Sequence, residues 1–408
     1  MRDVLRHPSF VRLACAYLLS EVGDWLVGIA LAVVVFDKTG SAIATTGVFL
    51  SARVLPSLAV PGLTARLDHL PVQRALGLLF ALQTVACAGM ATFAADFSLA
   101  MLLVLACING AAAVTSRAIV RAGTVHLLDP AGLLREGNAA LNLGFTVIMA
   151  LGPAVGGLAA AGLGVPTTLL VAAGCYLVNV AFAAGARGAG DGRVADDAAS
   201  KESWRERTRG GLRYVRGHRV LRTLLTAEAL LLLFFTVVGP IEIIYAKRSL
   251  GSTDAGYGAL LAAWGVGGIL GGTIFVRERA RAGFTLIVMS TIAIGVSYGT
   301  MAVAGSLGLA CAASALGGVG NGVQWIAVIT AAQEATETAF IARVAALFES
   351  MSAAVPGLGY LLGGAVTAIV SPRAAFAVAG IGVLVVVTAW GIVSPWRGMR
   401  ARRAAAAP

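Results

Sequence analysis

Apolar stretches of about 20 residues recur from one end of this chain to the other, each long enough to cross a bilayer as a single α-helix. The spans are read at 11–36, 43–64, 75–94, 98–120, 138–160, 165–185, 221–245, 255–276, 283–301, 303–328, 344–370 and 374–394. The best count is about twelve, with ten or eleven open because several turns are very short. Of 408 residues, 58% are hydrophobic and 12% charged, against about 25% charged in a soluble domain. One water-soluble core burying every stretch is not a workable alternative. A membrane β-barrel would show spans of about ten residues with period-two alternation, and no such pattern is present.

The first eleven residues are too polar for the apolar region of a cleavable signal. The stretch that follows is too long and holds Glu21 and Asp24, so it reads as a retained first helix. The 51 glycines suit membrane helices, which approach one another through small residues because lipid competes equally for apolar contact. Cys15, Cys87, Cys107, Cys175 and Cys311 all lie within apolar stretches and form no CxxC pair. They read as small buried hydrophobes and point to neither a disulfide framework nor a metal site.

Basic residues orient the spans. Arg2, Arg6 and Arg12 flank the first, Arg74 follows the second, and Arg121 and Arg135 lie between the fourth and fifth. Lys201, Arg205, Arg207, Arg209, Arg213, Arg216, Arg219 and Arg222 crowd the central connection and its edge. Arg277, Arg279 and Arg281 follow the eighth span, and Arg397, Arg400, Arg402 and Arg403 form the tail. The other side has little beyond Lys38, Lys247, Arg248 and Arg373. By the positive-inside rule both termini and the central connection are expected in the cytoplasm of a cell-membrane protein, which requires an even number of spans. The net charge of +11 then belongs to the membrane face. Anionic lipid headgroups are the expected partner, rather than nucleic acid, because Glu202 and Glu206 interrupt the bases beside a span.

The connection at 186–220 divides the chain into 1–185 and 221–408, with about six spans in each, as expected of two structural repeats. Gly188-Ala-Gly-Asp-Gly192 reads as flexible, and Trp204 to His218 as a short amphipathic helix on the inner surface.

Several ordered matches now make the chain resemble the major facilitator superfamily over nearly its full length. Ser20-Glu-Val-Gly-Asp24 and Phe36-Asp-Lys-Thr-Gly-Ser41 are similar to the first helix and first outer loop of that superfamily. Arg117-Ala-Ile-Val, then Leu128-Asp-Pro and Asn138, resemble the fourth-to-fifth connection. Gly152-Pro-Ala-Val-Gly-Gly157 is similar to the antiporter motif of the fifth helix. Gly256-Tyr-Gly258 with Gly265-Val-Gly-Gly268 resembles the eighth, and Arg343 through Gly359 to Gly364 the eleventh. Within the superfamily the likeness is to drug and siderophore exporters of the macrolide-efflux and enterobactin-exporter type. It implies an all-α membrane fold of twelve helices in two six-helix halves. One departure is visible: Gly62-Leu-Thr-Ala-Arg-Leu-Asp68-His-Leu-Pro71-Val-Gln-Arg74 displaces the acid and thins the bases of the usual second-to-third loop. Arg66, Asp68 and Arg74 are expected at an inner gate, with Arg277 in the equivalent loop of the second half.

Charges inside spans usually face a cavity or a partner. Glu21 and Asp24 share a helical face with Tyr17 and Ser20, while Leu18, Val22, Trp25 and Ile29 form the opposite, packed arc. Two neighbouring carboxylates are candidates for loading and releasing a proton. Arg53, deep in the second span, and Arg117, near the inner end of the fourth, are the natural partners, and Arg53 would pair with one acid in one state and release it in another. Arg117 is expected to snorkel inward or join the inner gate. Glu228 is the best intramembrane acid of the second half. Arg343 and Glu349 are expected to pair near the cytoplasmic side. Cavity candidates are Asn109, Asn142, Asn179, Phe234, Phe235, Asn321, Gln324 and Trp325, although hydrogen bonds between helices are an equal alternative for the polar ones. Gly152, Pro153, Gly156 and Gly157 are expected to bend and closely pack the fifth helix as the halves rock. They precede no Lys-Ser/Thr and follow no strand, so they form no phosphate-binding loop.

The expected function is secondary active transport by alternating access, with substrate in a midplane cavity between the halves. Long apolar faces beside the polar groups favour an amphipathic or lipophilic small molecule, exported at the expense of a proton gradient by a monomer without cofactor. A lysolipid flippase, a small-metabolite importer and a non-transporting receptor or scaffold remain alternatives. Four histidines without metal spacing or a nucleophile–base pattern argue against an enzyme.

Overall fold

The structure, a computed structural model, describes residues 4–57, 63, 67, 70–186, 188, 204–277, 283–337 and 340–393. Its long elements are all helical: α1 Pro8–Thr39, α2 Ala42–Phe49, α3 Val72–Ala95, α4 Leu99–Leu128, α5 Leu134–Leu163, α6 Val165–Gly185, α7 Trp204–Gly217, α8 Arg219–Thr236, α9 Asp254–Arg277, α10 Gly283–Val303, α11 Leu307–Glu334, α12 Ile341–Ile369 and α13 Pro372–Val393. Among the described residues ten helical spans are long and apolar enough to cross a membrane, or eleven if the bent pair within α5 is one span. The protein is therefore a multi-pass membrane protein. The expected second span, 43–64, runs into residues outside the described set. What is described there is the shorter apolar helix Ala42–Ser57.

Local chemistry explains where helices stop and bend. Gly40 ends α1 in the left-handed conformation (φ 59°), and its N–H returns to the Phe36 carbonyl at 2.7 Å. One residue on, the Ser41 hydroxyl accepts the Ala44 N–H at 3.2 Å and starts α2. The Phe36–Ser41 motif is thus a stop followed at once by a start. In α5 the segments Glu136–Met149 and Leu151–Leu163 meet at 42°. Pro153 lies just beyond the break. Its ring denies the Met149 carbonyl a hydrogen bond and crowds it, which bends the helix there.

Packing divides the chain into two units: Met1–Ser200 with Ser252–Ala262, and Lys201–Gly251 with Ala263–Pro408. In the first, α1 packs on α5, α6 and α4, and α3 packs on α6 and α4. Glycines of α5 receive bulky side chains of α1: Gly144 faces Leu18, Gly152 faces the Trp25 indole, and Gly156 faces Ile29. A Cβ at Gly152 or Gly156 would overlap these groups, so the antiporter-like motif is in part a seat for α1. Gly157 meets the backbone of Gly258, which belongs to the same unit.

In the second unit α10 packs on α11 and α13, and α8 packs on α13 and α12. The seventh span continues through a 3₁₀ turn at Gly239–Ile241 and a π turn at Tyr245–Ser249. Tyr245 donates its hydroxyl to the Met301 carbonyl at 2.6 Å, and Arg373 reaches the Ser249 carbonyl at 3.1 Å, which ties this irregular end to α10 and α13. The amphipathic α7 docks on α12: Tyr214 stacks on Phe340 at 4.1 Å between centroids and accepts the Glu337 N–H at 3.2 Å.

Candidate functional site

Spacing brings Glu21 and Asp24 to one face of α1, and Arg117 and Arg121, four residues apart on α4, to another single face. These faces meet. The Arg117 Nη1 atom lies 2.9 Å from Glu21 Oε1 and 3.1 Å from Asp24 Oδ2. The other Asp24 oxygen accepts a 2.6 Å hydrogen bond from the Tyr176 hydroxyl of α6. Glu21 is buried and the side chain of Arg117 is 33% exposed, so the group is neither sealed nor free in water. The buried Asn109, which accepts from Cys87 at 3.7 Å, lies close to Tyr176. Arg121 acts electrostatically on Tyr17, one turn along α1 from Glu21. The tyrosine approaches because residue 23 lacks a side chain: a Cβ there would stand 2.8 Å from the Tyr176 ring.

The pairing separates the two arginines that the sequence offered as partners of these acids. Arg117, expected at the interface or an inner gate, is the direct partner of both acids. Arg53, the other candidate partner, is exposed in a π turn at Leu50–Val54, with its guanidinium 5.7 Å from the Trp25 ring centroid. The wide turn places Arg53 over the aromatic face, although its charge still reaches Asp24. Tyr176, Gly23 and Arg121 were missed as site residues. The available signal was the tyrosine itself, since a phenol buried in an apolar span requires a polar partner.

The second unit holds a different arrangement. Glu228 of α8 is buried, and its Oε2 accepts a 2.7 Å hydrogen bond from the Gln324 amide of α11. Both face a cavity of about 60 Å³, which is also lined by Phe235, Thr291, Asn321, Trp325 and aliphatic residues of α8, α10 and α13. Beside it, Phe235, Trp264 and Tyr298 form an aromatic cluster with centroids 5.8 to 6.3 Å apart.

The other expected residues are dispersed. Asn142 is exposed on α5. Asn179 is fully buried in α6, and neither of its amide atoms has a hydrogen-bond partner among the described residues. Phe234 packs on Gly382. Arg74 and Arg277 are exposed at helix ends. Arg343 lies over the Phe340 ring at 5.5 Å. Arg66, Asp68 and the side chain of Glu349 lie outside the described residues. No group of three metal-binding side chains occurs among the described residues.

Comparisons with known proteins agree with this architecture. No curated protein matches the sequence. The nucleoside transporter NupG superposes with a TM-score of 0.71 at 14% identity, over 94% of this chain and 98% of that one. A bacterial homologue of the iron transporter ferroportin, in its inward-facing state, gives 0.71 at 15% identity over 96% and 99%. A POT family transporter in complex with 5-aminolevulinic acid gives 0.70 at 11% identity over 95% and 96%. At such identities the likeness speaks for the fold alone. The sequence itself is matched over residues 3–405 by the transmembrane secretion effectors of the major facilitator superfamily. With that match, and a membrane fold shared with secondary transporters, the chain belongs to the transmembrane secretion effector family and is a transporter, not an enzyme.

Proposed function

We propose that this transporter exports amphipathic or lipophilic small molecules, drug-like or siderophore-like, in exchange for protons by alternating access. The observation that carries the reading is the Glu21–Asp24–Arg117–Tyr176 cluster inside the membrane-spanning part of the first unit. Two carboxylates share one direct guanidinium, so one negative charge lacks a direct match. A proton on either acid removes the excess and lets Arg117 settle on the other. Proton entry thereby changes which oxygens hold α4 to α1, and such a change of partners can bias two conformations of a carrier. Arg53 and Arg121 stand at the edges of the cluster as further cationic neighbours.

The cytoplasmic placement of both termini and of α7, with its exposed Arg209, Arg213 and Arg216 against anionic lipid, is part of the same proposal. So is action as a monomer.

The test is an efflux assay with a panel of amphipathic dyes in cells and in vesicles carrying pH gradients of either direction. The intact chain is expected to extrude at least one dye against its gradient, driven by inward protons. Asp24→Asn is expected to abolish the dependence on the proton gradient. Dye efflux in Asp24→Asn that keeps the gradient dependence of the intact chain would remove the proton-site assignment. Uptake rather than extrusion under the inward proton gradient would favour an importer.

A further inference from the structure

We propose that the cavity at Glu228 in the second unit is a recognition pocket for the ammonium group of a cationic amphipath. The inference rests on the transport reading and adds a substrate class to it.

Glu228 is 4% exposed and opens onto the cavity, where its one side-chain partner among the described residues is the neutral Gln324 amide. No Lys, Arg or His pairs with it among the described residues. A carboxylate has room for about four hydrogen bonds, and here one is supplied. An ionised carboxylate buried without a counter-charge is costly, so Glu228 takes either a proton or a ligand that brings positive charge.

The rest of the lining also offers acceptors to a ligand that donates hydrogen bonds. The Thr291 hydroxyl gives its proton to the Ile287 carbonyl at 2.7 Å, so it meets the cavity as an acceptor. Gln324 has committed one N–H to Glu228, which leaves its carbonyl oxygen and a second N–H, and the Asn321 amide brings a further carbonyl oxygen with its NH₂ group. Phe235 and Trp325 add aromatic rings, whose faces attract cations. At about 60 Å³ the cavity suits an ammonium head rather than an entire drug-sized molecule. Trp325 remains 43% exposed and gives the apolar tail an aromatic surface beyond the head. An anionic ligand would meet Glu228 as a like charge, and a neutral one would leave the carboxylate uncompensated.

The opposite holds in the first unit. There Arg117 already answers Glu21 and Asp24, with Arg53 and Arg121 close by. A cation arriving at that cluster would compete with three arginines, so recognition and charge compensation fall to different places in the chain.

Three ligands with one tail and different heads provide the test: 4-phenylbutylamine, 4-phenylbutanol and 4-phenylbutyrate. They are competed against radiolabelled 4-phenylbutylamine on the purified full chain in lipid nanodiscs, at one mildly alkaline pH. The amine is expected to bind at least about tenfold more tightly than the alcohol, as befits a charge-assisted hydrogen bond, and the carboxylate more weakly still. Glu228→Gln is expected to lower amine affinity to that of the alcohol, while Glu228→Asp retains part of the preference. Equal affinity for amine and alcohol in the unmodified chain, a comparison that needs no variant, would overturn the proposal. So would an amine preference that survives Glu228→Gln. Gradient-driven dye efflux without any amine preference would overturn this inference alone. Amine preference without gradient-driven efflux would uphold the pocket and remove the transport reading.

Discussion

Glu21 and Asp24 in the first unit meet Arg117 and Tyr176, whereas Glu228 in the second meets, among the described residues, the Gln324 amide alone. Each acid lies in a span where a bare charge is expensive, yet the expense is met in two ways. In the first unit the counter-charge is built into the protein, so moving a proton redistributes bonds among α1, α4 and α6. In the second the charge is answered by an amide and by a small cavity, so compensation has to arrive from outside. A network of fixed charges suits coupling, because each member changes its partners when another changes state. A lone acid beside a cavity suits recognition, because an incoming group completes it.

The largest expected effect follows from breaking the first arrangement. Arg117→Met would leave the buried Glu21 and the partly buried Asp24 without their direct cation and is expected to destabilise the protein by up to about 3–5 kcal/mol. Thermal unfolding in detergent would show it, and adding Glu21→Gln with Asp24→Asn should recover most of the loss. Glu228→Gln is expected to shift the same transition far less, since it removes no ion pair. A comparable loss for both would erase the contrast between the units.

A smaller effect concerns the seat of Tyr176. Gly23→Val places a branched side chain against the phenol ring and is expected to cost about 1–3 kcal/mol by overpacking. At Gly28 a Cβ meets nothing within 4 Å, so Gly28→Ala should be neutral, or stabilising by up to about 1 kcal/mol through helix propensity. Equal losses at both positions would mean that the tyrosine does not depend on the small residue.

Tyr176→Phe comes next. It removes a hydrogen bond to a charged oxygen, worth about 1.5–3 kcal/mol at most, and double-mutant analysis with Asp24→Asn should assign that loss to the pair. The smallest effect is expected at Arg53. Its contact with Trp25 is exposed, so Arg53→Met should cost about 0.5–1 kcal/mol. A larger loss, rescued by Asp24→Asn, would show that Arg53 is a second true partner of the acids.

Much of the architecture was legible because membrane physics writes it into composition. Long uncharged stretches allow little but helices, and α1 and α3–α6 follow the apolar windows closely. Helix ends were less legible: α4 continues past residue 120 through Arg121 and His126 to Leu128, because hydrogen bonding persists where hydropathy falls. Glu21, Asp24 and Glu228 stood out as acids in apolar surroundings. Which arginine would answer the first two was not readable. Arg53 and Arg117 both lie in spans, and only the packing of α4 against α1 and the π turn at Leu50–Val54 separate their roles. Tyr176 was hidden because α6 otherwise reads as a uniform apolar stretch, and the glycine that admits it lies on another helix. The Gly152–Gly157 motif announced bending and close packing. That its partners would be Trp25, Ile29 and Gly258 required coordinates.

Proton movement linked to cargo is the most direct test of the coupling assigned to the first unit. Proteoliposomes holding a trapped pH dye would receive an amphipathic dye that the intact chain extrudes, and proton flux and dye exchange would be followed together. The intact protein should show cargo-triggered proton flux, and Asp24→Asn should exchange cargo without it. Equal proton flux in the intact chain, Asp24→Asn and Glu21→Gln would contradict a coupling site at this cluster.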